Sequence, residues 1–207
     1  MADLFPPEDF DDWAESYDQT VVDESQFPFI GYQAALDKAV ALAEAEAGMR
    51  VLDLGTGTGN LALPFAAAGC ELWCTDFSAT MIEKARLKLP SARFFQFDLR
   101  GDWPSGLNHR FDRIVSAYVF HHFELRDKVR LIEKLIRDHL KSAGRIIIAD
   151  ICFPNRQALE EAKLAAGDEW EDEFYWLVDE VISALIGVGL TSAYHPVSFC
   201  GGVFVIR

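Results

Sequence analysis

The feature that most constrains the fold is a run of alternating glycines after a short apolar stretch. Residues 49–55 read MRVLDLG, and Gly57 and Gly59 follow Gly55 at intervals of two. An apolar run of this length that ends in glycines is typical of a buried β-strand. Glycines let the backbone turn sharply and lie against a ligand at a helix N-terminus, where N–H groups lack partners. The alternative is a glycine-rich turn that holds no ligand.

After this loop, segments with strand-like and helix-like periodicity alternate, whereas residues 8–48 read as helical throughout. The further predicted strands cover 71–76, 93–98, 111–120 and 145–150, and the predicted helices cover 60–68, 79–89, 125–141 and 173–187, with a turn at Ser142–Gly144. This alternation predicts a parallel sheet with helices on both faces. Two last strands, 191–198 and 202–206, are too close for a parallel crossover and predict an antiparallel hairpin.

Acidic residues stand at the ends of three predicted strands. Asp53 precedes the first glycine by two residues, Asp76 ends the second strand, and Asp98 ends the third. Open α/β sheets bind ligands at the carboxyl ends of their strands. Asp53 suits a ligand with an ammonium group, Asp76 is placed to accept both hydroxyls of a ribose, and Asp98 is placed to accept from an exocyclic amine such as that of adenine. Taken singly, each is also an ordinary loop or cap residue.

The loop departs from two common nucleotide-binding patterns. The dinucleotide fingerprint GxGxxG would have its third glycine at position 60, where this chain has Asn60. The Lys and Ser/Thr of a P-loop are also missing. Together with the C-terminal hairpin, this argues against a nicotinamide-dependent oxidoreductase.

Five segments resemble the class I S-adenosylmethionine-dependent methyltransferases. These are VLDLGTGTGNLA (51–62), DFSATMIEKA (76–85), FQFDL (95–99), FDRIVSAYVFHHF (111–123) and KSAGRIIIAD (141–150). The N-terminal DDWAESYDQTV, the HHF and the length resemble more narrowly the YrrT-like methyltransferases. The resemblance implies a doubly wound, Rossmann-like α/β fold with N-terminal helices. Its seven-stranded mixed sheet would have the order 3-2-1-4-5-7-6, with strand 7 antiparallel.

The same resemblance implies which residues hold the cofactor S-adenosyl-L-methionine. These are Asp53, Gly55, Thr56, Gly57, Gly59, Asp76, Phe77, Met81, Asp98, Leu99, Ser116 and Tyr17. The glycines would pass beneath the methionine part, with Asp53 near its ammonium and Asp76 on the ribose. Phe77 and Met81 would flank the adenine, Asp98 and Leu99 would meet its amine edge, and Ser116 would lie near the sulfonium. Tyr17 and Trp13 would close over the cofactor.

His121 and His122, just after the fourth predicted strand, are the candidate catalytic residues. Methyl transfer needs a general base only when the nucleophile arrives protonated, and either imidazole could serve. The alternatives are packing against the sheet edge, ordering of the loop, or metal binding together with Asp150. We expect no metal, because adjacent residues point apart and no HxxxH spacing is present.

The net charge of −14 bears on partners. A surface of this sign repels polyanions, which argues against nucleic acid as substrate. Residues 1–25 carry nine acidic and no basic side chains, and residues 156–180 carry nine acidic and two basic. This excess serves solubility or, if both segments reach the cleft, favours a cationic or neutral acceptor. The aromatic residues Trp170, Phe174, Tyr175 and Trp176 within the second segment either pack in the core or form a lid.

These observations predict one methyltransferase domain, 1–207, in three parts. Residues 1–48 would be an N-terminal helical cap, 49–150 the cofactor-binding core, and 151–207 a substrate-shaping insertion followed by the hairpin. We expect a cytoplasmic enzyme that methylates a small molecule, because membrane spans, a signal peptide and paired cysteines are all missing from the sequence. The alternative is a protein that binds S-adenosylmethionine or S-adenosylhomocysteine without transferring the methyl group. The oligomeric state stays open.

Overall fold

A mixed β-sheet with helices on both faces organises the chain in the computed structural model, which describes residues 11, 13–21, 27–167 and 170–207. The strands are β1 Arg50–Leu54, β2 Glu71–Asp76, β3 Arg93–Gln96, β4 Phe111–Ala117, β5 Leu140–Phe153, β6 Trp176–Leu177, β7 Ser192–Pro196 and β8 Gly201–Ile206. The helices are α1 Tyr17–Thr20, α2 Tyr32–Ala43, α3 Ala62–Ala67, α4 Ala79–Lys88, α5 Leu125–Lys134, α6 Arg156–Ala166 and α7 Val178–Gly187. None of the described helices has both the length and the apolarity needed to cross a membrane.

The sheet has the order β3-β2-β1-β4-β5-β8-β7. β8 runs antiparallel to both β5 and β7, while β1 to β5 pair in parallel. The fold class is therefore confirmed, and the predicted strand 7 is β8. The two-residue β6, which pairs with the end of β5, was not predicted. It occupies the start of the helix expected at 173–187, because the fully buried Trp176 packs into the core as extended chain.

Alternate residues of the central strands pack into two apolar cores, one on each face of the sheet. In β5, Ile146 and Ile148 join the core beneath α5 and α7, and Ile147 and Ala149 join the core beneath α2 and α3. All four are at most 1% exposed. Full burial of an aliphatic side chain contributes roughly 1.5–3 kcal/mol. This two-sided burial is what makes β5 apolar in both registers.

The helix predicted over 125–141 is shorter than expected. α5 ends at Lys134, a π-helical turn covers Leu135–His139, and β5 begins at Leu140. The turn predicted at Ser142–Gly144 therefore lies inside β5. Between the pairs Phe111↔Leu140 and Arg113↔Arg145, β4 advances two residues and β5 advances five, so the extra residues bulge from the strand.

The described residues of the stretch predicted to be helical, 8–48, are only partly so: those at 14–16, 21, 27–31 and 44–48 lie outside helices, whereas α1 and α2 are helical as expected. Residues 8–10, 12 and 22–26 of this stretch lie outside the described residues. The unpredicted helix α6 begins after Asn155, whose side chain accepts a hydrogen bond from the Ala158 N–H at 3.0 Å. Ser78 caps α4, because its hydroxyl oxygen accepts a hydrogen bond from the Met81 N–H at 3.0 Å.

Candidate active site

The glycine loop takes the left-handed backbone conformation at each glycine after β1. The φ angles of Gly55, Gly57 and Gly59 are +65°, +52° and +91°. A Cβ at Gly55 would collide with the side chain of Val119, whereas nothing lies within 4 Å of a Cβ built at Gly57. The loop therefore needs glycine both for its turn and for its close packing, and at Gly57 it leaves room above the backbone.

A cavity of about 990 Å³ opens beside this loop, at the carboxyl ends of the parallel strands. This is the upper end of the usual size for small-molecule sites. Of the predicted cofactor residues, Tyr17, Gly55, Gly57, Asp76, Phe77, Met81, Asp98 and Leu99 line it. The two predicted catalytic residues, His121 and His122, also line it. The structure thus brings the two predicted groups together around one space.

Asp76 is held in place at the end of β2 with its carboxylate on the cavity wall. Its Oδ2 accepts from the Gly57 N–H at 2.8 Å, and its Oδ1 accepts from the Ser78 N–H at 3.0 Å. Burial raises the pKa of Asp76 to about 6, although the backbone N–H groups oppose the shift. A fixed carboxylate at this position matches the expected acceptor for two ribose hydroxyls.

Asp53 lies beneath the loop, 1% exposed, and outside the cavity lining. Its Oδ2 accepts from the Thr56 hydroxyl at 2.6 Å, and its Oδ1 has no hydrogen-bond partner among the described residues. Burial raises the pKa of Asp53 to about 7, and the nearby Asp76 adds to the shift. Two buried acidic groups with raised pKa values favour a cationic ligand above them. This environment fits S-adenosylmethionine, which carries an ammonium and a sulfonium.

Three other predicted cofactor residues make contacts within the protein that the sequence did not predict. Ser116 is buried, and its hydroxyl donates to the Leu54 carbonyl at 2.7 Å, so it links β4 to β1. A Cβ at Gly59 would meet Leu89 and Ala85 at the C-terminal end of α4, and Gly59 is not among the residues that line the cavity. Asp98 lines the cavity but forms an ion pair with Arg100 at 2.7 Å. A contact between Asp98 and an adenine amine would therefore share its carboxylate with Arg100.

Residues 13–20, here called the N-terminal segment, contribute to the lining of the cavity beside the glycine loop. Asp18, which was not predicted from the sequence, anchors this segment. Trp13 and Tyr17 line the cavity, with ring centroids 4.7 Å apart. Asp18 accepts hydrogen bonds from the Thr58 hydroxyl at 2.5 Å and from Lys88 Nζ at 2.6 Å. The only sequence signal was its place within the acidic N-terminal stretch, which does not identify a partner.

His121 and His122 lie in a 3₁₀ turn, Phe120–His122, that follows β4. His121 Nδ1 lies 2.5 Å from Asp150 Oδ1, and its backbone N–H donates to Asp150 Oδ2 at 3.0 Å. The Trp176 indole N–H donates to the same Oδ2 at 2.8 Å. Asp150 sits within β5 and is completely buried, so this network fixes the His121 ring with Nδ1 on Asp150.

Glu173, which was not predicted, completes this end of the cavity. Its carboxylate lies 3.8 Å from His121 Nε2 and 3.5 Å from His122 Nδ1. Burial opposes protonation of His121, but the carboxylates of Asp150 and Glu173 raise its pKa above the usual value. Burial, followed by the charge on His121, lowers the pKa of His122 to about 2. Burial raises the pKa of Glu173.

The aromatic residues of the insertion divide between the core and the cavity. Trp176 belongs to the core, where its ring stacks on Phe204 with centroids 4.7 Å apart. Tyr175 and Phe27 line the cavity, and Trp170 stacks on Phe27 with centroids 5.0 Å apart. The core interpretation describes Trp176, and a lid stays a prediction for the residues that line the cavity.

Comparison with known proteins places the chain among methyltransferases. The family model described as "Methyltransferase domain" matches residues 51–144. A protein of Anoxybacillus flavithermus named as an uncharacterized methyltransferase is 31% identical over 205 residues, which cover 91% of each chain. The uncharacterized methyltransferase YrrT of Halobacillus halophilus is 28% identical over 200 residues, again with 91% of each chain covered.

A solved structure supports the fold over the whole length. The complex of DhpI with SAM and HEP superposes with a TM-score of 0.76 and covers 100% of this chain and 99% of its own. Sequence identity between the two is 19%. At this identity the likeness extends to the architecture and leaves the acceptor open.

Proposed function

The chain belongs to the class I S-adenosylmethionine-dependent methyltransferases, and from this premise we propose that it methylates a small-molecule acceptor. The observation that carries the proposal is one cavity lined both by the glycine loop and by the cluster of His121, His122 and Glu173, which we assign to the cofactor and to the acceptor respectively. A cavity of about 990 Å³ has room for the cofactor and a small acceptor together. The acidic surface disfavours nucleic acid as the acceptor.

The cofactor is S-adenosylmethionine, and we assign its binding to the residues at the loop end of the cavity. When bound, it supplies an electrophilic methyl group on a sulfonium. Asp76 would accept from the ribose hydroxyls, and Phe77, Met81 and Leu99 offer apolar surface to the adenine. The backbone at Gly57 would lie under the methionine part, above the buried charge of Asp53. Alignment of the two reactants in such a site can account for much of the rate enhancement.

For the acceptor end, we propose that His121 receives the proton of a protonated nucleophile. Its Nδ1 is bound to Asp150 at 2.5 Å, and the other ring nitrogen, Nε2, lies 3.8 Å from Glu173, which lines the cavity with it. The bond to Asp150 holds the imidazole in one orientation and stabilises it when it is charged. His122 and Glu173 would then position the acceptor. Sequence position alone does not distinguish the two histidines, and the Asp150 contact favours His121.

Charge at the acceptor end favours a cationic or neutral acceptor. Glu171 and Glu173 line the cavity there. The basic residue among the described lining residues, apart from histidines, is Arg100, which is bound to Asp98. Anionic acceptors would be repelled by these two carboxylates, although His121 offsets part of the charge of Glu173. The acidic insertion predicted from the sequence thus supports this choice of acceptor as well as solubility.

We further propose a cytoplasmic location. All four cysteines are free thiols, and Cys74, Cys152 and Cys200 are buried. Burial raises the pKa of Cys74 well above its usual value, as expected for an inert core thiol. The cysteines therefore give no sign of a disulfide framework of the kind that secreted proteins use.

The test is a screen of small metabolites, grouped by charge, for methyl uptake from labelled S-adenosylmethionine. We expect stoichiometric formation of S-adenosylhomocysteine and methylated product with a neutral or cationic compound. Good turnover of a phosphorylated or polycarboxylate acceptor at low salt would contradict the charge argument. Tight cofactor binding with no turnover across the screen would favour a binding protein that transfers nothing.

A further inference from the structure

Three side chains bring metal-ligand atoms together at the acceptor end of the cavity. Glu173 oxygens lie 3.8 Å from His121 Nε2 and 3.5 Å from His122 Nδ1, and one ligand atom from each residue lies within 4.8 Å of the others. In a tetrahedral site with bonds of about 2.0–2.2 Å, ligand atoms lie roughly 3.3–3.6 Å apart. Shifts of less than about 1 Å in each side chain would therefore close this set around one ion.

We propose that His121, His122 and Glu173 form a binding site for a divalent transition-metal ion, with Zn²⁺ as the occupant. Two imidazoles and one carboxylate are a donor set typical of zinc and its first-row neighbours. Mg²⁺ and Ca²⁺ favour sites made of oxygen alone, so they fit this set less well. Three protein ligands would leave a fourth position open for the acceptor, and all three residues line the cavity.

Asp150 supports the site from behind. Histidines that bind metals usually donate their other ring N–H to a carboxylate, which fixes the tautomer and the ring orientation. His121 has this arrangement, with Nδ1 2.5 Å from Asp150 Oδ1 and Nε2 turned toward Glu173. The Asp150 carboxylate is itself held by the N–H groups of His121 and Ile151 and by the Trp176 indole. A preformed and buried support of this kind is what a metal ligand needs.

The two histidines, although adjacent in sequence, do not point apart. The 3₁₀ turn Phe120–His122 places their ring centroids 4.1 Å from each other. This removes the geometric reason for which the sequence predicted no metal here. Glu173 reaches the same place because the Phe174 N–H donates to the His121 carbonyl at 2.9 Å, which pins the insertion to the turn.

An ion in this position would change how an acceptor is activated. A hydroxyl or thiol bound to a divalent ion loses its proton at lower pH than it does in water. The open position would then bind the acceptor directly, in place of proton transfer to His121 Nε2. This consequence rests on the proposed methyl transfer, whereas the metal site itself does not. In the competing arrangement no ion binds, and His121 Nε2 is the proton acceptor proposed above.

Metal binding is tested on the full chain without a histidine tag, stripped with a chelator. Zn²⁺ is titrated by calorimetry, and Co²⁺ serves as a spectroscopic probe through its visible d–d absorption. We expect one ion per chain. His122→Ala and Glu173→Gln should weaken binding at least tenfold, and Asp150→Asn should weaken it by about 10- to 100-fold. The matched controls are Glu171→Gln, an acidic neighbour in the same cavity, and His109→Ala, an exposed histidine elsewhere.

The results that would overturn the site are specific. One is a stripped protein that binds no stoichiometric Zn²⁺ or Co²⁺. Another is a loss of affinity that is the same in Glu171→Gln or His109→Ala as in Glu173→Gln. A thiolate charge-transfer band in the Co²⁺ spectrum would place the ion on a cysteine instead. Circular dichroism of each variant distinguishes the loss of a metal ligand from the loss of the fold. Metal binding is measured without an acceptor, so a negative result would not contradict methyl transfer, which the metabolite screen tests separately.

Discussion

The Asp18 carboxylate accepts a hydrogen bond from the Thr58 hydroxyl at 2.5 Å, which ties the N-terminal segment to the glycine loop. Asn60 donates to the same carboxylate at 3.1 Å, and Lys88 forms an ion pair with it at 2.6 Å. Tyr17, the neighbour of Asp18, lines the cavity. The contact therefore sets how closely the aromatic segment covers the cofactor end.

Asp18→Ala is expected to weaken S-adenosylmethionine binding by roughly 0.5–1.5 kcal/mol, or about 2- to 12-fold, the range for a hydrogen bond. Because Asp18 and Lys88 are partly exposed, their ion pair adds little to this. Calorimetry measures the affinity, and limited proteolysis reports on the segment. Asp37→Ala, which removes an exposed carboxylate bonded to Gln33, is the control. Equal effects from both variants would contradict the role of Asp18.

Asp76→Ala is expected to weaken S-adenosylmethionine binding by roughly 1.5–3 kcal/mol, or about 10- to 100-fold, as for hydrogen bonds to a charged group. The reason is that its carboxylate, held by the Gly57 and Ser78 N–H groups, would accept from the ribose. Calorimetry again measures the affinity. Glu83→Ala, on the exposed side of α4, should bind as the wild type does, and an unaltered affinity in Asp76→Ala would make Asp76 purely structural.

The affinity for the cofactor is expected to decrease as the pH is lowered below about 6. Burial raises the pKa of Asp76 to about 6, and the carboxylate form is the one that accepts from the ribose. Affinity should therefore decline by up to about tenfold per pH unit as Asp76 is protonated, and protonation of Asp53, whose pKa burial raises to about 7, adds a shallower slope at higher pH because Asp53 lies outside the cavity lining. S-adenosylhomocysteine titrated between pH 5 and 7.5 gives the profile. Asp76→Asn should bind weakly at every pH and lose most of the slope, and a slope that is unchanged in this variant would assign the titration elsewhere.

The parts of the site that were predictable from sequence are those that depend on local geometry. Asp76 was predicted because a carboxylate at a strand end after a glycine loop has a defined place in a parallel sheet. Asp150 ends a predicted strand as well, and the same rule would have placed it at this edge. It was weighed only as a metal ligand because the pairing with His121 is a contact between β5 and the turn after β4.

The remaining features depend on contacts between distant segments. Glu173 reaches the histidines only because the insertion folds back and pairs its Phe174 N–H with the His121 carbonyl. Asp18 meets the loop 40 residues away. The hydrophobic periodicity of these two segments does not indicate which distant residues they contact. β5 begins at Leu140 because Leu140 pairs with Phe111 before the bulge. Local secondary-structure propensity does not predict a pairing between two segments this far apart.

The stability of the cofactor-free protein is expected to fall as pH rises toward 7. Burial raises the pKa of Asp53 from its usual 3.8 to about 7, so the folded state holds this proton more tightly than the unfolded chain does. The resulting stabilisation is fully present below about pH 3.8 and is lost as pH rises through about 7. At about 1.4 kcal/mol per pKa unit, the contribution is on the order of a few kcal/mol. Urea unfolding at pH 5 and pH 8 measures it, and Asp53→Asn should lack this component of the pH dependence. A wild type and variant whose stabilities change in parallel would contradict it.

Once a methyl acceptor has been identified, His121→Ala is expected to lower kcat by about 10²- to 10⁴-fold, which is the usual contribution of a general base. Its affinity for S-adenosylmethionine should change less than Asp76→Ala changes it, because His121 shares no hydrogen-bond partner with Asp76. Asp150→Asn should also lower kcat, since it disturbs the ring whose Nδ1 it holds at 2.5 Å. Single-turnover rates separate the chemical step from product release.

His109→Ala, which removes an exposed histidine, is the control for the His121→Ala variant. A kcat that survives in His121→Ala but falls in His122→Ala would move the catalytic role to the second histidine, and loss of cofactor binding in His121→Ala would show that the two ends of the cavity are not independent.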